Sequence, residues 1–111
     1  MTTEEISIEE FGRLDLRIGT IRTAAAHPQA DRLLVLTVDV GEPTPRQLVA
    51  GIRAAYDLRT LPGQQIVVVA NLKPALLRGV ESQGMLLAAS DADGLAVIAP
   101  GRRFKPGTKV K

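Results

Sequence analysis

The sequence contains no cysteine, so disulfides, thiolate metal sites and cysteine nucleophiles are all excluded. It contains no tryptophan, and Phe11, Tyr56 and Phe104 are its only aromatic residues. A 45% hydrophobic content must therefore fill a core with Val, Leu, Ile and Ala, an inventory that suits the interior of a small β-barrel. No run approaches the roughly 18 apolar residues of a membrane span. The acidic start MTTEEISIEE has no apolar stretch of the kind a signal peptide needs, so the expected setting is the cytoplasm, with no membrane partner. No glycine-rich phosphate loop occurs in a strand–loop–helix context, and no residue set implies a cofactor.

His27 is the single histidine. It precedes Pro28 and stands four residues before Asp31, but no Ser, Cys or second His is spaced to complete a catalytic or metal-binding set. It is read as a turn residue with Asp31 as its expected partner. Asp91 and Asp93 before Gly94 are turn formers, because a calcium loop needs more oxygen ligands at regular spacing. Neither a metal site nor an autonomous enzyme is indicated.

Charge is unevenly placed. Glu4, Glu5, Glu9 and Glu10 fall in a decapeptide without Lys or Arg, leaving fourteen basic against eight acidic residues over 11–111. A basic body is compatible with a polyanion without requiring one.

With 111 residues, the chain is the size of one domain, 1–111, with an acidic arm or short helix over 1–12 and a basic extension over 100–111. Leu14, Leu16 and Ile18 alternate with Asp15 and Arg17 as in a half-buried strand, and Gly19 suggests a bulge or tight bend. Leu34, Leu36, Val38 and Val40 line one face of a second strand, and RQLVAG forms a third. RAAYDLR (53–59) reads as a short helix, and the continuous apolar run after Gln65 as a fourth strand buried on both faces. Residues 73–81 read as a loop, GMLLAAS as a fifth strand, and Asp93-Gly94 as a hairpin turn. Three strands, a short helix and two or three more strands match the layout of an OB-fold, an all-β five-stranded Greek-key barrel with a helix between strands 3 and 4. A small β-sandwich is the competing architecture.

The richest stretch runs from Asn71 to Met85 (NLKPALLRGVESQGM). Asn71, Ser82 and Gln83 offer neutral polar groups, Lys73 and Arg78 offer charge, Pro74 restrains the backbone, and Gly79 and Gly84 permit turns. Such a segment could hold a phosphate–sugar backbone. The competing reading is that Asn71 and Ser82 satisfy the segment's own backbone while the cations are merely solvated. Met85 is read as core or rim packing that could flatten on a ribose.

Asn-Leu-Lys-Pro followed by Leu-Arg-Gly-Val-Glu-Ser-Gln-Gly-Met-Leu-Leu resembles the signature of the bacterial tRNA-binding domain, found at the C-terminus of many methionyl-tRNA synthetases and as small free-standing proteins. Asp15-Leu-Arg-Ile-Gly-Thr-Ile, the segment from His27 to Leu36, Arg46 to Ile52 and Pro106 to Val110 extend the resemblance over nearly the whole chain. It implies a homodimeric OB-fold recognising tRNA by shape at the outer corner of the L. Carried onto this chain, it implies contacts from Asn71, Lys73, Arg78, Ser82, Gln83 and Met85, with Arg17 and Arg32 as flanking cations. Relatives often have a basic residue where this chain has Leu76, and Lys where it has Arg32; the first removes a phosphate contact and the second changes hydrogen-bonding geometry.

Few aromatics mean little stacking surface for single strands, so a structured RNA held by phosphate and 2′-hydroxyl groups is the better match. The expected function is a tRNA-binding module, free-standing or partnered with a methionyl-tRNA synthetase catalytic chain. The alternative is a secretion-associated chaperone of the same fold that holds unfolded peptides in a dimeric apolar groove. Ile6, Ile8 and Phe11 in the acidic arm could pack across a partner barrel.

Overall fold

Alternating side-chain direction and the placement of apolar residues decide how this chain closes on itself. The computed structural model describes residues 3–111, so Met1 and Thr2 of the N-terminal arm lie outside the described residues. A one-turn helix, α1 (Ile8–Phe11), is followed by β1 (Leu16–Ala26), β2 (Leu34–Asp39), β3 (Arg46–Ala50) and β4 (Gln65–Val69). The short strands β5 (Ala75–Leu77), β6 (Val80–Ser82), β7 (Met85–Leu86), β8 (Ala88–Asp91), β9 (Gly94–Val97) and β10 (Lys109–Val110) complete the chain. The main sheet has the order β3-β2-β1-β4-β7, with β10 added on β1, and every pairing is antiparallel. This five-stranded, nearly closed sheet is an OB-like barrel.

Leu34, Leu36, Val38 and Val40 are fully buried, as their spacing predicts, and meet Ile21, Leu48, Ile66 and Val68 inside the barrel. β4 is buried along its whole length because it faces two cores. Ile66 and Val68 point into the barrel, whereas Val67 and Val69 join Leu16 and Ile18 in an outer cluster covered by Phe11, Leu87 and Val110.

Several local expectations are corrected. Leu14 is exposed and precedes the strand, which begins at Leu16 and runs on to Ala26. The register irregularity lies between Ile21 and Thr23, after Gly19. Gly19 is instead a point of close approach, where an added Cβ would stand 2.6 Å from Val38 Cγ1. The mid-chain helix shrinks to one 3-10 turn, Leu58–Thr60, capped by Asp57. Residues 73–81 are not a plain loop, because they contain the β5–β6 hairpin. The expected fifth strand is split between β7 and β8, and the β8–β9 turn is Ala92-Asp93, flanked by the Asp91–Gly94 pair.

Ser7 caps α1 in a reciprocal capping box with Glu10. Phe11 seats on the chain's own barrel, while Ile6 and Ile8 remain exposed. No helix among the described residues is long and apolar enough to cross a membrane.

Candidate nucleic-acid interface

The segment from Asn71 to Met85 divides into a base built into the barrel and a hairpin that projects from it. At the base, the Asn71 side chain accepts a hydrogen bond from the Asp15 backbone N–H (2.8 Å) and donates to the Arg13 carbonyl (2.6 Å). Ser82 is 4% exposed; its hydroxyl accepts from the Val49 N–H (3.0 Å) and donates to the Gly84 carbonyl (2.8 Å). The Gln47 N–H donates to Gln83 Oε1 (2.9 Å), the Gln83 N–H donates to the Gln47 carbonyl (2.7 Å), and Gln47 Nε2 donates to the Glu81 carbonyl (2.7 Å). The free edge of β3 is thus satisfied largely by side chains, which close the barrel where a strand ladder would otherwise be needed.

A charge network lies beneath. Arg46 pairs with Glu42 (2.7 Å), donates to the Gln83 carbonyl (3.0 Å), and also donates to the Ala70 carbonyl. Arg17 pairs with Asp15 (2.8 Å) and lies 3.7 Å from Glu42. Hydrogen bonds from Arg17 and Lys109 hold the Asp15 carboxyl at about 2. The Arg46 guanidinium likewise holds Glu42 below the usual carboxylate range, and Asp15 raises Arg17. Arg17 is therefore part-buried and paired with carboxylates of its own chain.

The hairpin is different. Leu77 pairs with Val80, so the turn is Arg78-Gly79, with φ of 53° and 88°. Two positive φ values are the pattern of a type I′ turn, which favours Asn or Gly at its first position. An arginine there is held in a conformation costly for a residue with a Cβ. Arg78 and Arg32, both exposed, line one concavity of about 340 Å³ with Gln29, Ala30, Asp31 and Leu33. Lys73 is exposed at the root of the hairpin and Leu76 is 73% exposed on β5. Arg17, Arg22, Arg46, Arg59 and Lys109 form ion pairs; among the described residues the other nine of the fourteen cations, including Arg32, Lys73 and Arg78, have no carboxylate partner.

Met85 is 48% exposed and borders an apolar groove with Val49, Ile52, Leu86 and Leu95. His27 does not bond Asp31; its ring contacts the Gln29 N–H and the Leu77 carbonyl. Sequence reasoning missed Arg46, Glu42 and Gln47 as supports of the segment. The i,i+4 spacing of Glu42 and Arg46 across a Pro-rich turn was the available signal. Among the described residues no group of three or more His, Asp or Glu could hold a metal ion.

An OB-like barrel that offers cations without carboxylate partners on and beside a projecting hairpin fits the class of nucleic-acid-binding domains. Residues 16–109 match the family model of the tRNA binding domain, and the chain belongs to that family. It is a non-catalytic domain. It is 48% identical over 108 residues to a methionine–tRNA ligase of Thermococcus kodakarensis, covering 97% of this chain and 14% of the ligase. Among solved structures, a MetRS-related protein from Pyrococcus horikoshii superposes with a TM-score of 0.89 at 32% identity, covering 98% of this chain and 100% of that one. The chaperone CsaA of Bacillus anthracis superposes with a TM-score of 0.87 at 33% identity over 97% of this chain and 100% of that one. The chain spans about one seventh of the length of the curated ligase it matches.

Proposed function

We propose that this chain is a structure-specific tRNA-binding module of the cytoplasm, acting as a homodimer and lending tRNA affinity to a methionyl-tRNA synthetase catalytic chain. Lys73, Arg78 and Arg32 contact phosphates of the folded RNA, and Met85 lies at the rim. Asn71, Ser82 and Gln83 hold the segment in shape, and Arg17 braces the neighbouring Asp15 and Val40. Linkage of such a module to a catalytic partner raises affinity by effective concentration, without any chemistry of its own.

The observation that carries this reading is Arg78, an exposed cation kept in the left-handed region at a hairpin tip, beside the equally unpaired Arg32. A strained residue at an exposed tip points to a ligand contact. The exposed Ile6, Leu14 and Leu72, which line one concavity beside α1, support the dimer, since a second copy would cover them. Removal of residues 1–10 is expected to yield monomers in sedimentation; an unchanged dimer excludes the arm.

Filter binding of bulk tRNA to the wild type and to a Lys73→Ala/Arg78→Ala variant tests the interface. Each lost phosphate contact removes about 0.7–0.9 from the slope of log K against log salt, which is roughly fivefold in affinity at physiological salt. The double variant should bind on the order of 25-fold more weakly. Its melting temperature should not change. Undiminished binding would refute the interface.

The apolar groove beside Met85 and the likeness to CsaA favour a second reading, in which the dimer holds unfolded peptides. Competition between bulk tRNA and an unfolded polypeptide separates the two.

A further inference from the structure

His27 lies outside the segment that resembles an RNA contact, yet it is 4% exposed and both of its ring nitrogens are engaged. Nδ1 accepts the Gln29 backbone N–H at 3.0 Å. A ring nitrogen that accepts cannot also carry the proton, so Nε2 is the protonated one and donates to the Leu77 carbonyl at 2.9 Å. The two bonds lead to different places. The first shapes the loop after His27, which is also closed by the His27 N–H to Leu33 carbonyl and Leu33 N–H to Ala30 carbonyl bonds (3.1 and 3.2 Å). The second reaches the hairpin at the residue immediately before Arg78.

The loop carries Arg32 and the hairpin tip carries Arg78, and both line the same concavity. Among the described residues, the one other side chain–backbone bond between hairpin tip and loop is the weak one from Arg78 Nη2 to the Gln29 carbonyl, at 3.4 Å. Asp31 also lines the concavity and offsets part of its positive charge, so the spacing of the two guanidiniums matters more than their number. Two like-charged groups with no bond between them drift apart unless something holds their backbones. Of the two bonds that join loop and hairpin tip, that of His27 is the shorter.

We propose that His27 is a positioning residue which, through its Nε2–H bond to Leu77, fixes Arg78 against Arg32 as a two-arginine seat for one stretch of RNA phosphates. This deepens the tRNA-binding reading and rests on it.

The test uses two substitutions that divide the functions of the ring. In His27→Asn the side-chain oxygen can still accept the N–H two residues on, as in an Asx-turn, but the amide is too short to reach Leu77. In His27→Gln the longer amide can donate to the Leu77 carbonyl. tRNA affinity is measured across a salt series, together with thermal unfolding, for the wild type, both His27 variants, Arg78→Ala and the His27→Asn/Arg78→Ala double variant. His27→Asn is expected to reproduce most of the Arg78→Ala loss, roughly fivefold at physiological salt with a slope lower by about 0.7–0.9. The double variant should lose little more, and His27→Gln should stay within about twofold of the wild type, a difference of roughly 0.4 kcal/mol.

A purely structural histidine would lower the melting temperature and leave the slope of the folded protein unchanged, and that result overturns the proposal. So does full additivity with Arg78→Ala. If His27→Asn fails to fold, His27→Gln alone decides: a wild-type slope supports the proposal and a reduced slope refutes it. A wild type without tRNA affinity overturns the function and the seat together. An Arg78→Ala variant that binds normally, in a wild type that does bind, removes the seat and the Arg78 contact but leaves tRNA binding itself standing.

Discussion

Replacing Ser82 by alanine separates a structural role from a contact with RNA. The hydroxyl satisfies two backbone groups at once, the Val49 N–H and the Gly84 carbonyl, at a residue only 4% exposed. Alanine removes both partners and supplies none. Leaving a buried donor or acceptor unpaired costs about 1–3 kcal/mol, so the pair together should destabilise the fold by roughly 2–3 kcal/mol after local relaxation. For a chain of 111 residues, the unfolding entropy is about 0.23 kcal/mol per degree, which turns that loss into a fall of about 9–13 °C in melting temperature. Circular dichroism melts of wild type and Ser82→Ala measure it directly. Well below the melting transition, tRNA affinity should shift less than twofold and the salt slope should not move. A variant that melts within two or three degrees of the wild type (roughly 0.5 kcal/mol) while binding tRNA about tenfold more weakly would refute this reasoning and return Ser82 to the interface.

Two further outcomes follow from the geometry. Arg78→Asn should stabilise the protein by about 0.5–1 kcal/mol, because asparagine tolerates the left-handed conformation of the tip, while tRNA affinity falls roughly fivefold. Denaturant titration and filter binding should therefore move in opposite directions. Asp15→Asn should lose about 1–2 kcal/mol at neutral pH, allowing for solvent screening of a partly exposed carboxyl. Folding depresses this carboxyl from its ordinary 3.8 to about 2, so its contribution is present above pH 3.8 and disappears as pH falls towards 2. Urea titrations should find wild type and variant converging over that window; a gap that persists at pH 2 would contradict the ion-pair account.

The barrel was legible where periodicity is strict and one face is fully buried. Leu34, Leu36, Val38 and Val40 show this, as does β4, whose unbroken apolar run reflects two cores on opposite faces. Element ends were less legible. Leu14 continues the alternation of β1 but stays exposed, because the chain reaches the sheet only at Leu16, after Asn71 has bonded the Arg13 carbonyl and the Asp15 N–H. RAAYDLR lacks the length for a stable helix and keeps only the turn that Asp57 caps. In the candidate interface, residue types could be read from the sequence but not their duties. Asn71, Ser82 and Gln83 have the same hydrogen-bonding capacity toward RNA as toward protein, and only their distance from unsatisfied backbone decides between them. His27 was read with the wrong partner because its actual one, Leu77, lies fifty residues away in sequence.

The seam along the edge of β3 has a consequence for how such chains are told apart. The peptide Glu-Ser-Gln-Gly works here as a zip that shuts the barrel, whereas the exposed cations Lys73 and Arg78 sit a few positions earlier. Shape and ligand are thus written in adjacent but independent words. Substitutions at Lys73, Leu76 and Arg78 therefore leave the bonds that shut the barrel untouched.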